Sequence, residues 1–251
     1  MKIRSFLIIF STLYLVAAAV LLSRIEEDRE RLQDPVPNEA RVFCWSEKYR
    51  RFDQSAVDIS LIDKSYNASL ASREDDLDAD GKIETYALSA DGILTVTEDG
   101  KEIWHTDEGW KVEGFFLTDA DNDGIADLSL SVWKPGNYGE AMPFWVGEND
   151  MSVRNHFFVY SLEDDRMRPV WQSSNLAAPD CGFTIDDIDA DGKNELIAME
   201  GDYADAVCRG RRLSVWRWHE WGFLNEWKSE DGNFEGVALY AGYGGKCFAG
   251  Y

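Results

Sequence analysis

Positive charge is what this sequence lacks most. Its 25 Lys and Arg stand against 47 Asp and Glu, for a formal net charge of −22. That sign repels phosphate and excludes nucleic acid or an anionic lipid surface as the main partner. Histidine is scarce, with three in 251 residues (His105, His156 and His219), and none stands in a recognisable motif. No GxSxG elbow, Walker loop or dinucleotide fingerprint occurs. The glycine-rich stretch 241–245 lacks the lysine–serine ending and following helix of a phosphate loop, so it reads as a turn. The four cysteines form no CxxC and no Cys/His cluster of zinc spacing, which argues against a structural zinc. These absences point away from an enzyme, and no residue is assigned a catalytic role. Carboxylates are so abundant that any chosen acid/base pair would be arbitrary.

Apolar material is not lacking. The chain is 45% hydrophobic and 13% aromatic, with ten Trp, too rich for a disordered acidic tail. One long uncharged, apolar-rich run exists, Phe6 to Leu22, preceded by Lys2 and Arg4 and followed by Ser23 and Arg24. It sits at the short end of what spans a bilayer, about 17–25 residues. The rival reading is a signal peptide cut near Ala17-Ala18-Ala19. That cut would leave Val20-Leu21-Leu22 as an apolar stub, so residues 1–23 are read as an uncleaved transmembrane signal-anchor. The positive charges before the run keep the N-terminus cytoplasmic and export the rest, although Arg24, Arg29 and Arg31 weaken that vote. Residues 24–40 read as a short charged helix and a proline linker, Asp34-Pro35-Val36-Pro37. The folded domain is expected over 41–251, membrane-anchored and extracytoplasmic, or secreted if the first segment is cleaved. In that oxidising setting four cysteines allow three pairings. The favoured one joins Cys44 to Cys247 across the domain's ends and Cys181 to Cys208 across a local hairpin. Asn67-Ala68-Ser69 fits a glycosylation sequon, a motif short enough to arise by chance.

The acids are organised. DLDADGKIE (Asp76–Glu84), DADNDGIAD (Asp119–Asp127) and DIDADGKNE (Asp187–Glu195) align without gaps. Each carries Asp at positions 1, 3 and 5, Gly at 6 and an acid at 9. Ca²⁺ takes six to eight oxygens, and alternate side chains on a curled loop converge to supply them. The expected ligands are therefore Asp76, Asp78, Asp80 and Glu84; Asp119, Asp121, Asp123 and Asp127; and Asp187, Asp189, Asp191 and Glu195. The position-7 carbonyls of Lys82, Ile125 and Lys193 would add one each. About three structural Ca²⁺ ions would raise the formal charge by six, from −22 to −16. An EF-hand needs an acid at position 12 and flanking helices. Position 12 here is Ala87, Leu130 or Ala198, and strand-like runs flank the loops, so that reading is rejected.

Beyond each loop the pattern continues as strand, strand, turn, strand, with Asp99-Gly100 a strong hairpin signal. Each unit is thus a four-stranded blade-like repeat. Asp76 and Asp119 stand 43 residues apart, while Asp119 and Asp187 stand 68 apart. The excess is expected in Lys134–Arg154, rich in Gly, Pro and aromatics and read as a long loop.

The pattern D-x-D-x-D-G-x-x-[DE] followed by an apolar strand resembles the FG-GAP and VCBS repeats. The resemblance covers roughly residues 70–245 and rests on the three loops, since no Phe-Gly…Gly-Ala-Pro signature is present. It implies Ca²⁺-bearing β-propeller blades, as in the integrin α-subunit head, where seven blades are common. This chain has length for about four or five. The fold class expected is all-β, a propeller-like array behind one N-terminal transmembrane helix. Trp133, Tyr138, Phe144 and Trp145 cluster in or beside the long loop and are the candidate surface for a protein or glycan ligand outside the cell. Trp216, Trp218 and Trp221 are assigned to core and interface. The function expected is a non-catalytic, membrane-tethered, calcium-dependent interaction or adhesion domain. The alternative is an accessory or catalytic domain of a cell-envelope polysaccharide-acting system.

Overall fold

The computed structural model describes residues 40–55, 62–63, 71–138, 142–240 and 247–251. The apolar N-terminal run, the charged helix, the proline linker, the Asn67 sequon and the glycine-rich 241–245 lie outside them. The described residues contain β-strands and no helix, and hence no helix long and apolar enough to cross a membrane.

Three sheets are consecutive four-stranded meanders. The first holds β4 (Ser72–Asp75), β5 (Glu84–Leu88), β6 (Leu94–Glu98) and β7 (Lys101–His105). The second holds β8 (Lys111–Thr118), β9 (Asp127–Pro135), β10 (Val153–Glu163) and β11 (Arg166–Gln172). The third holds β12 (Asp180–Asp186), β13 (Glu195–Glu200), β14 (Arg212–His219) and β15 (Gly222–Lys228). In each, an acidic loop joins the first strand to the second, as the sequence repeat requires. The fourth sheet is built from both ends of the domain. β1 (Arg41–Ser46) and β2 (Arg51–Ser55) join β16 (Val237–Tyr240), β17 (Cys247–Gly250) and the two-residue β3 (Ile62–Asp63), in the order β2-β1-β17-β16-β3.

Side-chain alternation explains how the sheets stack, because successive residues on a strand face opposite sides. On β10, Phe158, Tyr160 and Leu162 join a core shared with Tyr86, Leu94 and Val96 of the first sheet. The intervening Phe157 and Val159 join another with Phe183, Ile185 and Leu196 of the third. β9 is buried on both faces, with Leu128, Leu130 and Val132 turned to the first sheet. Its Ser129 and Ser131 are small, and the Ser131 hydroxyl donates to the Asp180 carbonyl of the third sheet at 3.2 Å. Ile197, Met199, Leu213 and Val215 then pack against Phe43, Phe52, Leu239 and Phe248 of the fourth sheet.

The two disulfides are those favoured from sequence. Cys44 and Cys247 are direct partners across the β1–β17 ladder. Cys181–Cys208 differs in its setting: it fastens β12 to the long β13–β14 connection rather than closing a hairpin. Two boundaries also differ from expectation. Lys134 and Pro135 belong to β9, and Val153 and Arg154 to β10, because the ladder continues through Pro135↔Val153. Lys134 is buried there, its ammonium donating to the Gly136 carbonyl at 2.6 Å. Phe234 makes only an isolated bridge to Gly210 before β16 begins at Val237.

Cross-linking a loop of this span removes about 5 kcal/mol of denatured-state entropy in the chain-closure estimate, and measured values run somewhat lower. A Cys44→Ser/Cys247→Ser variant is therefore expected to lose about 3–5 kcal/mol of unfolding free energy, read from urea melts. Leu130→Ala, which empties a fully buried site, should cost about 2–5 kcal/mol in the same assay.

Candidate functional site

The three acidic loops adopt one hydrogen-bonded form. The position-1 carboxylate reaches forward to the position-6 glycine N–H: Asp76 to Gly81 at 3.0 Å, Asp119 to Gly124 at 2.9 Å, and Asp187 to Gly192 at 2.9 Å. Position 5 accepts from the position-7 N–H, at 2.8 Å for Asp80, 2.8 Å for Asp123 and 2.9 Å for Asp191. The glycines have φ of +90°, +94° and +86°, a region costly for any residue with a Cβ. Position 4 is also left-handed, at Ala79, Asn122 and Ala190 (φ +57°, +64° and +58°). The sequence reading missed that feature; only Asn122 is of a type that signals it.

The acid at position 9 opens the next strand and closes the loop. Glu84, Asp127 and Glu195 are all buried, and each accepts from the position-2 N–H: Leu77 at 3.0 Å, Ala120 at 2.9 Å and Ile188 at 3.2 Å. One oxygen of each is thereby fixed, leaving the other toward the loop. Glu84 Oε1 and Asp76 Oδ1 are buried without a hydrogen-bond partner. Burial raises the carboxyl of Glu84, lifts that of Asp127 to about 7, and lifts that of Glu195 to about 8; neighbouring aspartates add to the effect, and at Glu195 the Arg217 charge opposes it. Asp121 is raised for the same reasons.

Positions 1, 3 and 9 converge in every copy. Ligand atoms of Asp76, Asp78 and Glu84 lie within 4.8 Å of one another, as do those of Asp119, Asp121 and Asp127, and of Asp187, Asp189 and Glu195. Position 5 is drawn into the loop's own hydrogen bonds. Asp80 also groups with Glu84 and Glu98, an acid that the sequence reading did not include. Glu98 lies outside the nine-residue motif and reaches the loop only because it pairs with Glu84 across β5 and β6. Three carboxylates in such a space repel by several kcal/mol, and a divalent cation removes that cost. Residues 122 and 194 tie the second loop to the third: Asn194 N–H donates to Asn122 Oδ1 at 2.6 Å, and Asn194 Nδ2 donates to the Asp119 carbonyl at 2.7 Å.

The aromatic candidates divide. Phe144 and Trp145 lie at the tip of a turn closed by Val146 N–H to the Pro143 carbonyl, edge to face at 4.8 Å. They are 94% and 73% exposed, so the pair is presented to solvent rather than folded over a sheet. Tyr138 is half-buried, its backbone pinned by the Asn149 side chain. Trp133 is on β9, edge to face with Tyr203, and is not part of that turn. Trp216 packs in the core between the second and third sheets, Trp218 meets Phe223 edge to face, and Trp221 is exposed in the β14–β15 turn. Of the histidines, His156 is buried against Phe158, a burial that lowers its imidazole pKa, while His105 and His219 are surface residues.

A cavity of about 120 Å³ opens between the second and third sheets, lined by Phe157, Trp171, Leu196, Trp216, Phe223 and Asp180. Burial lifts the Asp180 carboxyl to about 8. Compared with protein-family models, curated proteins and solved structures, the chain matches none.

Asp180 gives a pH prediction. Its folded-state carboxyl titrates above its unfolded value, so the folded state holds the proton more tightly. Its contribution to stability therefore falls as pH rises from about 4 to about 8. Asp180→Asn keeps the acceptor for Gly182 N–H and should raise the melting temperature at pH 8.5 but not at pH 4.

Proposed function

We propose that the chain is a non-catalytic, membrane-tethered, extracytoplasmic domain whose repeats bind Ca²⁺ as structural ions and whose exposed loop engages a protein or glycan ligand. The observation that carries the calcium reading is the buried, unpartnered Glu84 Oε1 facing the carboxylates of Asp76 and Asp78. A buried carboxylate oxygen without a donor costs free energy unless a cation or proton serves it. The donor set is all oxygen, which suits a hard cation such as Ca²⁺. The position-7 carbonyls are the further ligands on this reading. The ion's role is to hold a strand-to-strand reversal that its own carboxylates would otherwise push apart.

The four sheets, stacked in series with both ends of the strand-bearing domain in one of them, support a four-bladed propeller of the FG-GAP/VCBS type. A sheet shared by the two ends is a latch for such a ring. The two disulfides favour an oxidising, extracytoplasmic setting. Phe144 and Trp145 supply the interaction surface, since large exposed aromatics on a rigid loop suit sugar rings or a protein groove.

Two measurements test this. EDTA should lower the melting temperature and Ca²⁺ restore it, by about 2.7 kcal/mol at a hundredfold excess over the dissociation constant. An unchanged midpoint across chelator and millimolar Ca²⁺ would remove the calcium reading. Separately, Phe144→Ala/Trp145→Ala should abolish capture on a glycan array or by the partner protein while leaving the melt unchanged. Retained capture would move the ligand site elsewhere.

A further inference from the structure

The three loops are alike in backbone but not in what faces them across the sheet. In the first, Glu84 pairs with Glu98, adding a carboxylate. In the second, Tyr160 pairs with Leu128, so the residue beside Asp127 is the neutral Ser161. In the third, Glu195 pairs with Arg217. The register alone thus places an acid, a hydroxyl and a guanidinium at equivalent points.

Arg217 fills its loop. Its Nη1 lies 2.6 Å from Asp191 Oδ2, and its Nη2 lies 2.8 Å from Asp189 Oδ2 and 3.3 Å from Glu195 Oε1. Its Nε is held by Glu226 at 3.1 Å. The guanidinium therefore meets positions 3, 5 and 9, two of which, Asp189 and Glu195, belong to the converging trio that would close around a metal. The side chain is only 20% exposed, and its planar fork suits several carboxylates at once. The first loop offers the contrast. Lys82 bonds Asp80 and Glu98 at 2.9 Å each from an exposed position, and leaves Asp76, Asp78 and Glu84 unpaired. Among the described residues, no lysine or arginine pairs with the acids of the second loop. Glu195 Oε1, like its counterpart Glu84 Oε1, accepts no hydrogen bond, but it lies within ion-pair distance of Arg217, whereas Glu84 has no such cation beside it among the described residues.

We propose that Arg217 is the resident cation of the third loop, so that the chain takes two Ca²⁺ ions, at the first and second loops. This rests on the calcium reading above. For Ca²⁺ to enter the third loop, the guanidinium must leave three carboxylates and still remain beside a dication that repels it. The third loop is then a copy whose charge is partly offset by its own guanidinium and that holds the same backbone form without metal.

The full chain, stripped with EGTA, is titrated with Ca²⁺ by calorimetry, and its melting curve is recorded in EGTA. The wild type should show two sites, and Arg217→Met should gain a third. In EGTA, R217M should melt several degrees below both the wild type and R168M, a control that loses an exposed Arg–Glu pair on β11. Added Ca²⁺ should recover that loss. Three comparable sites in the wild type overturn the proposal, whether or not R217M folds. So does an R217M that binds two ions and melts like R168M. A wild type that binds no Ca²⁺ removes the calcium reading instead. The EGTA melt then still decides for or against Arg217 as the loop's cation.

Discussion

Everything in this fold turns on a carboxylate buried at the first residue of an inner strand. Glu84, Asp127 and Glu195 each place one oxygen on a backbone N–H of the loop they close. That bond sets where the loop ends and where the strand begins, and hence the register of the sheet. It also draws a negative charge into a poorly solvated place, which needs a compensating partner. The acidity of the chain is in part the consequence: twelve of its 47 acids stand in these loops.

The stacking of the sheets follows from the same strands. β9 and β13 leave the loops straight into the interior, so both of their faces are covered. Small residues such as Ser129 and Ser131 alternate with Leu128 and Leu130, letting one side approach closely while the other fills a core. The acidic loops therefore sit at strand ends whose positions are fixed by dense packing, and two of them touch through Asn122 and Asn194. Metal, on the proposed reading, pins an edge that the core has already placed.

Much of this was legible in the sequence because its causes are local. Asp at alternating positions with a glycine at the sixth forces a loop whatever surrounds it, and the Asp99-Gly100 turn signal falls between two paired strands as expected. Other features depended on residues far apart in the chain. That β1 and β2 would complete a sheet with β16 and β17 has no local signal beyond the cysteines at its seam. The insertion after β9 was read as loop from its composition, but ladder pairing extends into it from both sides. Trp133 seemed a neighbour of Phe144 and Trp145 by number; the strand carries it to Tyr203 instead.

The sequence by itself determined three equivalent loops and four-stranded repeats, and it favoured one of three cysteine pairings. Spacing, periodicity and cysteine position are properties of the chain. Only the tertiary structure decided that the loops are not equivalent in charge. Which side chain stands opposite the closing acid depends on the pairing of two strands, and that pairing puts Glu98 against Glu84 but Arg217 against Glu195. A carboxylate cluster open to a cation and one already holding a guanidinium are indistinguishable until the register brings the opposite strand into place.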